Sequence, residues 1–98
     1  KTKETNSYKI EIGYMINPKK TLSKIVVKYF DKKTETQHKT TKELYFYEDI
    51  FYLINKIEVK NEKIIFSHKK TNLGEIETAK YERPIEIEIT KMERNNIH

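Results

Sequence analysis

Three stretches of this 98-residue chain alternate apolar and polar side chains with a period of two. In the first, Tyr8, Ile10, Ile12, Tyr14 and Ile16 share one face, while Lys9, Glu11, Gly13 and Met15 share the other. In the second, Ile25, Val27 and Tyr29 face one way, with Val26 and Phe30 on the reverse. In the third, Ile85, Ile87 and Ile89 alternate with Glu86, Glu88 and Thr90. Successive side chains of a strand point to opposite faces, so this period marks half-buried strands. Composition agrees: Ile occurs 14 times, Thr 10 and Tyr 7, against a single Ala. Branched and aromatic side chains suit a pleated surface, whereas Ala is the best helix former.

Punctuation between these stretches sets the connections. Asn17-Pro18-Lys19-Lys20 reads as a turn, since Pro lacks a ladder donor and Asn tolerates turn geometry. Asp31-Lys32-Lys33-Thr34 reads as a hairpin turn leading into Glu35–Lys42, a Thr-rich exposed edge strand guarded by its lysines. Glu43–Tyr47 suits a short strand. Glu48 and Asp49 then suit a helix start, and Ile50, Leu53, Ile54 and Ile57 form one helical stripe, which predicts a helix near 48–55; one long strand over 44–57 is the alternative. Ile57–Lys60 and Lys63–Ser67 predict a hairpin turning at Asn61-Glu62. His68–Gly74 reads as a polar loop, Glu75–Tyr81 as a further strand, and Pro84 as the start of the last strand. Residues 1–7 carry no apolar side chain and read as a flexible tether; 93–98 read as a flexible tail. No strand–helix–strand alternation is present, so the sheet is expected to be antiparallel. The expectation is a mainly β fold: a single domain over 8–92, built as a curved antiparallel sheet or small open barrel of six to seven strands with one short helix.

The residues that carry catalysis are scarce. Cys is absent, which removes disulfides, thiolate zinc sites and cysteine nucleophiles. His38, His68 and His98 stand 30 apart and match no metal spacing. Ser7, Ser23 and Ser67 lack a nucleophile-elbow context, and Gly13 and Gly74 stand alone rather than in a phosphate loop. The sequence therefore predicts neither an enzyme nor a cofactor or metal. No apolar run approaches the roughly 18 residues of a spanning helix.

Charge and aromatic side chains remain as instruments of recognition. The chain carries a net charge of +5, with 18 Lys and only 2 Arg. Lys offers a hydrated point charge rather than the flat fork that reads bases, so nucleic acid is disfavoured as a partner. Residues 1–42 hold eleven Lys and four acids, while residues 75–98 hold four basic and six acidic side chains. In the basic part, Lys1, Lys3, Lys19, Lys20, Lys32 and Lys33 are candidates for an anionic membrane surface, each contributing about 1 kcal/mol. In the acidic part, Glu86 and Glu88 share a strand face and are candidate contacts for a cationic ligand. The run Tyr45-Phe46-Tyr47 adds to them: on a strand with Phe46 inward, Tyr45 and Tyr47 point outward, and Tyr offers large contact area at small entropic cost.

Two stretches, Tyr8-Lys9-Ile10-Glu11-Ile12-Gly13-Tyr14-Met15 and Tyr47-Glu48-Asp49-Ile50-Phe51-Tyr52-Leu53-Ile54-Asn55, resemble lantibiotic immunity lipoproteins of the subtilin-immunity type. They cover under a quarter of the chain and contain no diagnostic motif, so no site residue is carried over. The resemblance implies a bacteriocin self-immunity protein of a Gram-positive bacterium, on the outer face of the cell membrane, with its lipid-bearing Cys ahead of residue 1. The chain opens on Lys1 without a Met, which fits a part of something longer. The expectation is thus a monomeric, non-enzymatic, extracytoplasmic binding protein that sequesters a cationic antimicrobial peptide or blocks its access to lipid. The alternatives are a small β-barrel for single-stranded nucleic acid, or an adaptor domain offering a free edge around Glu35–Thr41.

Overall fold

The structure, a computed structural model, describes residues 1–15 and 23–96. Its elements in chain order are β1 (Thr2–Glu4), β2 (Tyr8–Met15), β3 (Ser23–Asp31), β4 (Thr36–Leu44), a 3-10 turn (Tyr47–Asp49), α1 (Ile50–Leu53), β5 (Lys56–Lys60), β6 (Lys63–Ser67), α2 (Asn72–Thr78), β7 (Ile85–Glu88), a second 3-10 turn (Ile89–Lys91) and β8 (Glu93–Asn96). The chain is mainly β, with all pairings antiparallel, but the strands form two sheets and neither is a closed barrel. The expectation of a single sheet or open barrel with one helix is corrected accordingly: among the described residues there are eight strands and two α-helices. They fall into two compact units, residues 1–47 with 91–98, and residues 48–90.

The first unit holds the sheet β1-β2-β3-β4-β8. The alternation read from the sequence decides its faces. Ile10 and Ile12 of β2 and Ile25, Val27 and Tyr29 of β3 are buried, whereas Lys9, Glu11, Gly13, Lys24, Val26 and Lys28 take the opposite face. Each fully buried Val or Ile contributes about 1.5–3 kcal/mol, and a slip of either strand by one residue would turn its buried set outward. Cross-strand aromatics reinforce the register: Tyr8 stacks on Tyr29 with centroids 5.6 Å apart, and Tyr29 meets His38 at 5.8 Å. At the β3–β4 turn, Asp31 Oδ1 accepts the backbone N–H of Lys33 at 2.9 Å and of Thr34 at 3.3 Å, and Glu35 supplies a positive φ of 55°.

Three stretches of this unit differ from the sequence reading. Residues 1–7, read as a tether, hold β1, which pairs with β2 from Thr2↔Glu11 to Glu4↔Lys9. Residues 93–98, read as a tail, hold β8, which pairs with β4 from Lys39↔Glu93 to Thr36↔Asn96. Consequently Thr36–Lys39 is not the free edge expected over Glu35–Thr41. Backbone hydrogen bonding brings both polar stretches into the sheet, and such ladders leave little trace in a hydropathy pattern.

The second unit holds the sheet β5-β6-β7 and both α-helices. The hairpin forms where predicted, with Asn61 and Glu62 both left-handed at φ 52° and 61°, the two-residue turn whose twist matches the strands. Ile57, Ile64, Phe66, Ile85 and Ile87 are buried. So are Ile50, Leu53 and Ile54, the stripe predicted for the 48–55 helix, although only Ile50–Leu53 is α-helical and the preceding turn is 3-10. The loop predicted over His68–Gly74 holds only to Thr71, and in place of its end and of the strand predicted over Glu75–Tyr81 stands α2, followed by a turn. Thr71 caps it, its hydroxyl accepting the N–H of Gly74 at 3.0 Å, while the Thr71 carbonyl accepts the N–H of Glu75. Gly74 is required by packing: a Cβ there would lie 2.3 Å from the Lys69 carbonyl oxygen.

Candidate binding surfaces

The side chains singled out for a cationic ligand fall in different settings. Glu86 and Glu88 share the face of β7 opposite the buried Ile85 and Ile87, as the alternation requires. The register sets Lys63 across from Glu88, with its Nζ 3.5 Å from Glu86. Lys56, Glu58 and Lys60 of β5 share this face too, so it is a mixed field of charges rather than an acidic strip. Tyr45 and Phe46 are both exposed, because β4 ends at Leu44 and the alternation assumed for 43–47 stops there. Tyr47 opens the 3-10 turn, and its side chain lies outside the described residues.

Among the lysines, Lys32 is held by Glu4 at 2.7 Å, and its hydrogen bond keeps the Glu4 carboxyl below the usual range. Lys33 is exposed on the turn, Lys3 lies in β1 with Lys1 just ahead of it, and Lys19 and Lys20 lie outside the described residues. Charge divides by unit as it does along the sequence. Residues 1–47 with 91–98 carry thirteen cations and six anions, a net of +7; residues 48–90 carry seven and nine, a net of −2.

The second unit contains a polar network that sequence reading passed over. The His68 ring is buried; its Nε2 lies 2.8 Å from Glu75 Oε1, and its Nδ1 lies 3.4 Å from Lys70 Nζ. Lysine only donates, so Nδ1 accepts and Nε2–H donates to the carboxylate. Arg83 reaches the other oxygen of Glu75 at 2.7 Å. These partners, His68 first, hold the Glu75 carboxyl below its ordinary range. Nearby in the same unit, the Tyr81 hydroxyl donates to the buried carboxylate of Asp49, which Lys80 Nζ approaches at 3.3 Å. Both clusters tie α2 and its flanks to the rest of the unit, and each donor answers an acceptor within it. Thr71 followed by an acid in the first helical turn is the signal that would have placed α2.

A cleft of about 380 Å³ opens beside β2 next to Lys1. Lys1, Thr2, Glu11, Ile12, Gly13, Tyr14, Val26 and Lys28 line it, and Gly13 pairs with Val26 across β2 and β3. The next pair along, Glu11↔Lys28, continues on β4 as Lys39, which faces Lys28 directly. Glu11 also approaches Lys9 at 3.7 Å. Its lining therefore combines apolar side chains with cations and one carboxylate, Glu11, already drawn toward Lys9.

Compared with known protein families, characterised proteins and solved structures, the chain finds no match. Among the described residues no group of His, Asp or Glu is arranged to hold a metal ion, and no helix is long and apolar enough to cross a membrane.

Proposed function

We propose that this chain is a non-enzymatic, extracytoplasmic binding protein acting at the membrane surface, most concretely in self-immunity against a cationic lantibiotic-type peptide. The observation that supports the reading is the division of charge, +7 in the first unit and −2 in the second. The first unit also exposes Tyr14, Met15, Tyr45 and Phe46. A cationic surface bearing aromatic and apolar side chains is suited to anionic head groups. The second unit repels a cationic peptide less than the chain's total charge implies, and exposed Phe51, Leu73 and Ile76 offer it apolar contact. Tethering at the membrane would raise the effective concentration, so modest intrinsic affinity suffices. Subtilin titrated into the protein by calorimetry, alongside dye leakage from anionic vesicles, tests the reading. Saturable heat together with suppressed leakage supports it; no heat and unchanged leakage sink it.

A further inference from the structure

Antiparallel pairing gathers the end of β2, the start of β3 and the end of β4 at one end of the first unit's sheet. Tyr14↔Ile25↔Lys42 and Met15↔Lys24↔Glu43 are the last rungs that cross all three strands, and Tyr45 and Phe46 follow directly on Leu44. Every large apolar side chain that this unit exposes among the described residues lies here: Tyr14, Met15, Tyr45 and Phe46, each 51–61% accessible. The opposite end is closed by residues 5–7 and 32–35, which are polar throughout. The unit is thus amphipathic along its strands. Tyr45 and Phe46 stand on the β4 side of the apolar end, separated from β1 by β2 and β3, so their exposure does not depend on β1. Apolar side chains left out together mark a surface that something else covers.

The charges at this end select the occupant. Lys24 and Lys42 flank it from opposite faces of the sheet, and both are exposed. Neither takes part in an ion pair among the described residues. Glu43, across from Lys24, is the acid on these rungs, within a unit whose net charge is +7. Aromatic rings with lysines on either side match a bilayer interface: Tyr and Phe settle at head-group level, and the lysine stems reach outward to anionic phosphates. We infer that this end of the sheet, with Tyr45 and Phe46 foremost, enters the head-group region of an anionic bilayer, where Lys24 and Lys42 meet the lipid phosphates. This rests on the membrane reading above and deepens it by moving the contact away from Lys32 and Lys33. Those two lie at the polar end, where Glu4 holds Lys32 at 2.7 Å.

The chain has no Trp, so a single introduced indole reports its own surroundings. Phe46→Trp keeps an aromatic ring at the apolar end, and Thr34→Trp puts one on the exposed turn at the polar end. Each variant is sedimented with phosphatidylglycerol–phosphatidylcholine vesicles and with phosphatidylcholine vesicles, the phosphatidylcholine carrying brominated acyl chains as a quencher. Both variants should sediment with the anionic vesicles. The indole of bound Phe46→Trp should shift to the blue and be quenched, while that of Thr34→Trp keeps its emission in water. Replacing Lys24 and Lys42 together by Gln should weaken sedimentation about 25-fold, at about fivefold per lysine, and replacing Lys32 and Lys33 together should weaken it less than about fivefold. If bound Phe46→Trp is not quenched, as expected of a patch that a protein partner covers, or if Thr34→Trp is quenched as strongly, the assignment of this end is overturned while the membrane reading stands. Equal losses from the two lysine pairs, or equal sedimentation with phosphatidylcholine alone, overturn the contact of Lys24 and Lys42 with anionic lipid. No sedimentation with anionic vesicles overturns the membrane reading and this assignment together.

Discussion

Gly74→Ala gives a sharp test of how α2 is seated. In an exposed helix, replacing Gly by Ala stabilises by about 1 kcal/mol, because Ala surrenders less backbone entropy. Here the added Cβ would lie 2.3 Å from the Lys69 carbonyl oxygen and 2.9 Å from its carbon. Restoring ordinary contact, which begins at 3.4 Å, needs about 1 Å of displacement between α2 and the preceding segment. That segment cannot move freely, since the Lys69 N–H donates to the Tyr52 carbonyl at 2.7 Å at the end of α1. Nor can α2, whose Glu75 carboxylate is held from outside the helix by His68 at 2.8 Å and by Arg83 at 2.7 Å. Overpacking against pinned backbone falls at the upper end of its usual range, about 3 kcal/mol. Set against the propensity gain, the net loss is about 2 kcal/mol. For a chain of this size that lowers the melting temperature by roughly 8–16 °C, and lowers the urea midpoint by about 1 M. Urea titration followed by far-ultraviolet dichroism reads it directly. A variant as stable as the parent, or more so, would refute the close approach of α2 to Lys69.

Three further outcomes follow from single positions. Phe66→Ala removes the largest fully buried side chain among the described residues and should cost about 3–5 kcal/mol, seen as a collapse of the urea midpoint. Glu62→Gly, at a left-handed position that penalises any Cβ, should stabilise the β5–β6 turn by about 0.5–1 kcal/mol and raise the melting temperature, whereas a lower value would contradict the turn geometry. His38 is held below its ordinary value of 6.5, first by burial and then by Arg94, and its Nδ1 has no hydrogen-bond partner. The unfolded chain therefore binds the proton more tightly. Its contribution is complete above pH 6.5 and declines as pH falls from there toward the lowered folded value. Melting curves from pH 7.5 to 5 should show a shallower decline for His38→Gln than for the parent; parallel declines would rule the imidazole out as their source.

The alternating isoleucines determined a good deal unaided. They fixed β2, β3 and β7, and they fixed which face of each is buried, because a period of two admits one choice of face. Asn61 and Asp31 announced their turns through local chemistry that works without distant neighbours. What depended on contacts far along the chain was decided only in three dimensions. The polar residues of β1 and β8 become strands because neighbouring strands supply hydrogen-bond partners, and no side-chain pattern encodes that. α2 is a different case: its Thr71 cap is a local signal that the sequence carried, and only the grip of His68 and Arg83 on Glu75 waited for the fold. The acids Glu86 and Glu88 share a face as the sequence implied, yet Lys63 reaches that face from another strand and dilutes it.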